Sequence, residues 1–285
     1  MSEGLVLYLR LARLDRPIGW LLLLWPTLWA LWIAADGTPT LFVIGVFISG
    51  AIVTRAAGCV VNDYFDRDFD RHVERTRDRP LATGQVSIRG ALIFACVLGL
   101  VALALVMTLN RLTQWLALAG ALIAVTYPLF KRFTHLPQLW LGIAFSWGIP
   151  MAFSAQQASV PRLAWILLLA NLLWTVAYDT MYAMADRPDD VRIGVKSTAI
   201  WFGRYDRLVN LTCQVLSLVL LYAIGRHLAF ELWFDASLAV AGCLAIYQFH
   251  LCRARERVSC FRAFQNNNWF GAAIFCGIVL SYAFA

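Results

Sequence analysis

Asn62, Asp66 and Asp70, in the stretch NDYFDRDFD, recur every fourth residue, so on a helix their side chains project from one face. Asp63, seven residues before Asp70, lies close to the same stripe. Carboxylates at this spacing repel by a few tenths of a kcal/mol per exposed pair, and by more once water is withdrawn. A divalent cation converts that repulsion into ligation. Carboxylate and amide oxygens are hard donors suited to Mg²⁺, which keeps some of its water and recruits phosphate oxygens from a substrate. A second acidic group follows in YDTMYAMADRPDD, where Asp179 and Asp186 are seven apart and Asp186 and Asp190 four apart. Pro188 is expected to end that helix near Asp186 and leave Asp190 on a loop. Two acidic faces at one depth suit two Mg²⁺ ions with a diphosphate between them. The plainer alternative is a pair of ordinary charged helix ends.

The elements that must carry these groups are set by composition. Of 285 residues, 61% are hydrophobic and only 14% charged, and the mean hydropathy is +0.67. Uncharged runs cover 17–35, 37–54, 90–110, 112–130, 136–161, 163–178, 208–225, 236–252 and 263–285, each near the roughly 20 residues a spanning helix needs. The runs are continuous rather than alternating, which excludes a β-barrel. The chain is therefore expected to be all-α: one membrane-embedded domain over 1–285 with nine transmembrane helices. With the N-terminus in the cytoplasm, 20 of the 24 basic residues fall in loops on that side, as the positive-inside rule requires. The acidic groups and the longer loops share that face, and the C-terminus lies on the opposite side. This placement makes the net charge of +7 an orientation signal and excludes nucleic acid as a partner. Residues 1–16 place Leu7, Leu11 and Leu14 on one stripe, as in an amphipathic helix on the bilayer surface. The seven cysteines form no CxxC pair and read as packing residues, and the four histidines form no metal set.

NDYFDRDFD resembles the NDxxDxxxD motif of the UbiA superfamily of intramembrane prenyltransferases, and DRPDD resembles its second motif. YPLFK at 127–131 is similar to the family's YxxxK element. RLDRPIGWLLLLWPTLWAL, RDRPLATG, KRFTHLPQ and VKSTAIWFG extend the likeness along most of the chain. These longer stretches look most like the branch that prenylates 4-hydroxybenzoate for ubiquinone.

The resemblance implies transfer of a polyprenyl group from polyprenyl diphosphate to the 3-position of 4-hydroxybenzoate, with two Mg²⁺ ions, in a bacterial inner membrane. It assigns metal ligation and catalysis to Asp66, Asp70, Asp186 and Asp190, with Asn62 as a further ligand and Asp63 and Asp179 as added members. Tyr127 and Lys131 would bind diphosphate, with further contacts from Arg71, Arg75 and Lys196. Arg132 is the first choice for the acceptor's carboxylate, and Arg16 the second. Rival readings are a menaquinone-type or haem-modifying member of the superfamily, or a cation or proton carrier. A carrier should place acids near mid-span, whereas here they gather where spans emerge.

Overall fold

The computed structural model describes residues 3–71, 74 and 76–284, with the side chains of Glu3, Phe69, Pro128, Leu129, Lys131 and Arg132 outside that description. The expectations on Arg75, and on the side chains of Lys131 and Arg132, therefore lie outside the described residues. All regular structure among the described residues is helical. The helices are α1 (Glu3–Leu11), α2 (Ile18–Ala34), α3 (Leu41–Asp70), α4 (Ile88–Met107), α5 (Arg111–Phe133) and α6 (Pro137–Ser146). They continue with α7 (Gly148–Gln157), α8 (Arg162–Ile193), α9 (Thr198–Phe202), α10 (Asp206–His227), α11 (Leu232–Leu251) and α12 (Arg257–Ala283). Five stretches are long and apolar enough to cross a membrane: Leu41–Asp68, Ile88–Met107, Arg162–Ile193, Thr198–His227 and Leu232–Ala254. Ile18–Ala34 is a shorter apolar helix.

Two boundaries differ from the expectation, each for a backbone reason. The run 136–161, expected as one span, is broken at Trp147 into two helices of ten residues each. Pro150 has no N–H to offer the carbonyl of Ser146. Gly148 packs so closely on α2 that a Cβ there would collide with Thr27 Oγ1. The second difference is a correction: Pro188 does not end α8, which continues to Ile193. Proline removes only its own bond to the carbonyl of Met184, and the turns beyond it remain helical. The stop comes at Gly194, whose φ of 73° is the left-handed conformation glycine tolerates. There the Val195 N–H donates to the Asp190 carbonyl at 3.0 Å. Asp190 is thus helix-borne, one turn beyond Asp186.

The interior is tied by indoles at the junction of α2, α8 and α12. Trp174 stacks between Trp29 (5.3 Å) and Phe270 (5.1 Å). The Trp29 and Trp174 N–H groups donate to Gly271 O at 3.0 Å and Asn267 Oδ1 at 2.8 Å, so both rings are buried with their polar edges satisfied. Gly271 permits this packing, since a Cβ there would sit 2.6 Å from Trp25 Cδ1. In contrast, α4 is apolar all round beyond Arg89 and leaves Ile93, Leu100 and Leu103 exposed, as a helix facing lipid must. The apolar stripe of α1 is used against protein: Leu11 is fully buried with Val60, Leu81, Val86 and Ala91.

Candidate active site

α3 and α8 deliver both acidic motifs to one cavity of about 1010 Å³. Asn62, Asp66 and Asp70 line it from α3, and Asp179, Asp186 and Asp190 from α8. Asp66, Asp70 and Asp186 retain only 3%, 6% and 7% exposure, so their charges are largely withdrawn from water. Asn62 Nδ2 donates to Asp66 Oδ2 at 2.9 Å, which orients that carboxylate. Asp70 lies beyond the membrane-crossing part of α3. Burial raises its carboxyl above the ordinary range, Arg79 pulls it back, and Asp63 and Asp66 push it up again. Among the described residues no three His, Cys, Asp or Glu side chains stand close enough to cage an ion by themselves. This open set of hard oxygens fits Mg²⁺, which completes its shell with water and substrate phosphate.

Asp63 differs from its neighbours. Its carboxylate accepts from Arg13 and, at 3.0 Å, from Arg79 Nη1, which also donates to Asp70 Oδ2 at 2.6 Å. Arg13 reaches the cavity from a left-handed turn (φ 53°) after α1, so the leader is anchored to the first motif by charge as well as packing. Asp68, off the stripe, remains solvent-exposed.

In the second motif, successive side chains diverge. Asp186 and Asp190 line the cavity, while Arg187 pairs with Asp206 of α10 and Asp189 with Arg257 of α12 at 2.8 Å. Arg257 also holds Glu74 at 3.0 Å, joining the loop after the first motif to the end of the second.

Deeper in the cavity stands Arg55, seven residues before Asn62 and so on the same face of α3. Its Nε is buried without a hydrogen-bond partner, and its guanidinium carbon lies 5.5 Å from the centre of the Phe145 ring. Gly19 makes room for it, with the position of a Cβ only 3.0 Å from Nε. Beyond Arg55 the walls become apolar, with Val106, Leu109, Ala117, Leu118 and Ala121 contributed by α4, α5 and their connection.

The basic residues expected at the site divide. Lys196 lines the cavity and its Nζ reaches the Phe133 carbonyl at 3.4 Å, and Tyr127 lines it from α5. Arg16 is at the rim with its side chain 66% exposed. Arg71 is exposed, and its Nε donates to the Ala82 carbonyl at 2.9 Å, bracing the following loop. Arg13, Arg55, Arg79 and Asp206 received no site role in the sequence reading. Arg55 carried a signal as an ionisable residue within an apolar run, and Arg13 and Arg79 lie in the family-like stretches RLDRPIGW and RDRPLATG.

The UbiA prenyltransferase family profile matches residues 23–275. The chain is 54% identical over 282 residues to the 4-hydroxybenzoate octaprenyltransferase of Aromatoleum aromaticum, covering 99% of this chain and 96% of that one. It is 56% identical over 275 residues to the protein of the same name from Coxiella burnetii, covering 96% of each. A UbiA homolog from Aeropyrum pernix K1, solved in its apo form, superposes with a TM-score of 0.80 at 24% identity, over 91% of this chain and 97% of that one. A UbiA homolog from Archaeoglobus fulgidus, bound to GPP and Mg²⁺, gives 0.72 at 19% identity, over 95% and 99%. These two structures share the fold. With most of its length matched by the family profile and more than half its residues shared with full-length relatives, the chain belongs to the UbiA prenyltransferase family.

Proposed function

We propose that this protein transfers a polyprenyl group from polyprenyl diphosphate to the carbon ortho to the hydroxyl of 4-hydroxybenzoate, as the names of its relatives indicate, within ubiquinone biosynthesis. One observation carries the reading. A single cavity holds carboxylates at its mouth, a half-buried arginine with a buried, unpartnered Nε two helical turns deeper, and an apolar channel beyond. Those three zones match a diphosphate, a benzoate and a lipid chain.

Asn62, Asp66 and Asp70 from α3 and Asp186 and Asp190 from α8, with Asp179 beside them, would hold two Mg²⁺ ions. When bound, Mg²⁺ neutralises the diphosphate and assists its departure as a Lewis acid. Tyr127, Lys131 and Lys196 bind diphosphate oxygens, with further contacts from Arg71 and Arg75. Asp63, committed to Arg13 and Arg79, acts by holding those cations at the mouth. Seven residues of helix span about 10.5 Å, which leaves room for one aromatic ring between Asn62 and Arg55. Arg55 takes the acceptor's carboxylate in a charge-assisted hydrogen bond, with Arg132 and Arg16 as outer alternatives. Breaking the C–O bond leaves an allylic cation, whose charge the aromatic faces of Tyr178, Tyr182 and Phe264 around the cavity stabilise. The ring carbon ortho to the hydroxyl forms the new C–C bond and then loses its proton. Apolar walls keep water from the cation, which would otherwise become an alcohol.

The proposed setting is a bacterial inner membrane crossed nine times, by α2, α3, α4, α5, the α6–α7 pair, α8, α10, α11 and α12. The N-terminus and the acidic mouth face the cytoplasm, the C-terminus faces the other side, and the chain acts as a single domain. Membranes containing the protein, given geranyl diphosphate, Mg²⁺ and 4-hydroxybenzoate, should form 3-geranyl-4-hydroxybenzoate. A folded preparation that forms none, or that prenylates only a different acceptor, refutes the assignment.

A further inference from the structure

We propose that Asp206 is a positioning residue that keeps the Arg187 guanidinium out of the metal site, an inference resting on the reading that Asp186 and Asp190 hold Mg²⁺. Arg187 follows Asp186 directly and lies three residues before Asp190. On a helix this puts its long side chain within reach of the Asp190 carboxylate. An arginine there would supply the positive charge that the acids otherwise obtain from a divalent cation.

The fold prevents this through α10. Asp206, the first residue of that helix, is fully buried and receives Arg187 as an ion pair. The same carboxylate accepts from Arg255 Nε at 3.0 Å and Nη2 at 2.8 Å, and from the Arg207 backbone N–H at 2.6 Å. Arg255 is itself set in a left-handed turn (φ 55°), and its Nη2 also donates to the Arg204 carbonyl at 2.8 Å. Asp206 is therefore oriented by two further groups before Arg187 is counted, and the positive end of the α10 dipole favours its charge. On the other flank Arg257 draws Asp189 outward at 2.8 Å. The residues flanking Asp186 and Asp190 are thus tethered away from the cavity, by partners that a local reading of DRPDD does not contain.

The test uses the purified full-length protein in detergent with unreactive geranyl thiodiphosphate, reading Mn²⁺ binding by electron paramagnetic resonance. Mg²⁺-dependent turnover is measured in parallel. Asp206→Asn should weaken Mn²⁺ binding and raise the Mg²⁺ concentration for half-maximal turnover by about tenfold or more, as expected for a unit charge released near the site. The KM for 4-hydroxybenzoate should stay unchanged. Asp206→Asn combined with Arg187→Gln should bind Mn²⁺ within about threefold of the wild type, since the competing charge is gone. A double variant as weak as the single, or a single variant that binds Mn²⁺ like the wild type, overturns the proposal. Should Asp206→Asn not fold, Arg187→Gln alone decides: binding as tight as wild type supports the proposal, and an approximately tenfold loss overturns it. A wild-type protein that binds no Mn²⁺ beside the analogue would instead defeat the metal reading itself.

Discussion

Replacing Arg55 by glutamine tests the acceptor site directly, because the change removes the guanidinium and its charge while leaving a neutral amide near the position of Nε. Arg55 lies inside a helix long and apolar enough to cross a membrane and is half-buried, with its Nε buried and unpartnered, so a carboxylate bound there is shielded from part of its water. A hydrogen bond between charged partners contributes about 1.5–3 kcal/mol, and each 1.4 kcal/mol is about tenfold in an equilibrium constant. The KM for 4-hydroxybenzoate should accordingly rise by roughly 10- to 150-fold in Arg55→Gln. The KM for geranyl diphosphate should move by less than about threefold, because Arg55 lies two turns from the acids. Steady-state kinetics with each substrate varied in turn separates the two. Methyl 4-hydroxybenzoate adds a control: the wild type should disfavour this neutral ester strongly, and Arg55→Gln should accept acid and ester about equally. Arg132→Ala, measured alongside, distinguishes the outer position. An unchanged acceptor KM in Arg55→Gln, with a large rise in Arg132→Ala, would move the carboxylate contact to the end of α5 and refute the reasoning.

Asp66→Ala and Asp186→Ala should each reduce turnover by about 10²-fold or more, the scale of losing a principal electrostatic group at a reacting centre, with helical circular dichroism retained. Normal Mg²⁺-dependent turnover in both would end the two-metal reading. Asn267→Leu strands the Trp174 indole N–H, at a cost of about 1–3 kcal/mol, visible as a lower thermal midpoint in detergent. Much of that loss should vanish in a Trp174→Phe background, and a loss that persists in full would show that the Asn267–Trp174 bond is not its source. The Asp70 carboxyl is raised above its ordinary value of 3.8, so the folded protein holds that proton more tightly than the unfolded chain. Its contribution to metal-free stability is therefore present at low pH and lost as pH climbs through the raised value. In chelator, the thermal midpoint should fall over that window, and Asp70→Asn should flatten the fall. An identical slope in both proteins would remove Asp70 as its cause.

Hydropathy and helical spacing carried much of this protein in the sequence itself. Both depend on residues within a few turns of one another, so they survive without knowledge of the packing. Continuous apolar runs required helices, the four-residue recurrence put Asn62, Asp66 and Asp70 on one face, and α3 does carry all three. The second motif was legible for the same reason, although Pro188 was read too strictly: a proline costs one hydrogen bond, and the rest of α8 outweighs it. What the packing alone decided involves partners distant in the chain. Asp63 is 50 residues from Arg13, and Asp206 is 49 from Arg255; no local periodicity pairs them. The close approach of Gly148 to Thr27 joins two helices distant in sequence. Arg55 was visible as a charge in an apolar span, but only the arrangement of α2, α3 and α6 turns it into a cavity residue beside Phe145. Buried charges take their roles from whichever groups the fold brings within a few ångströms, and in this chain those groups come from helices far apart in sequence.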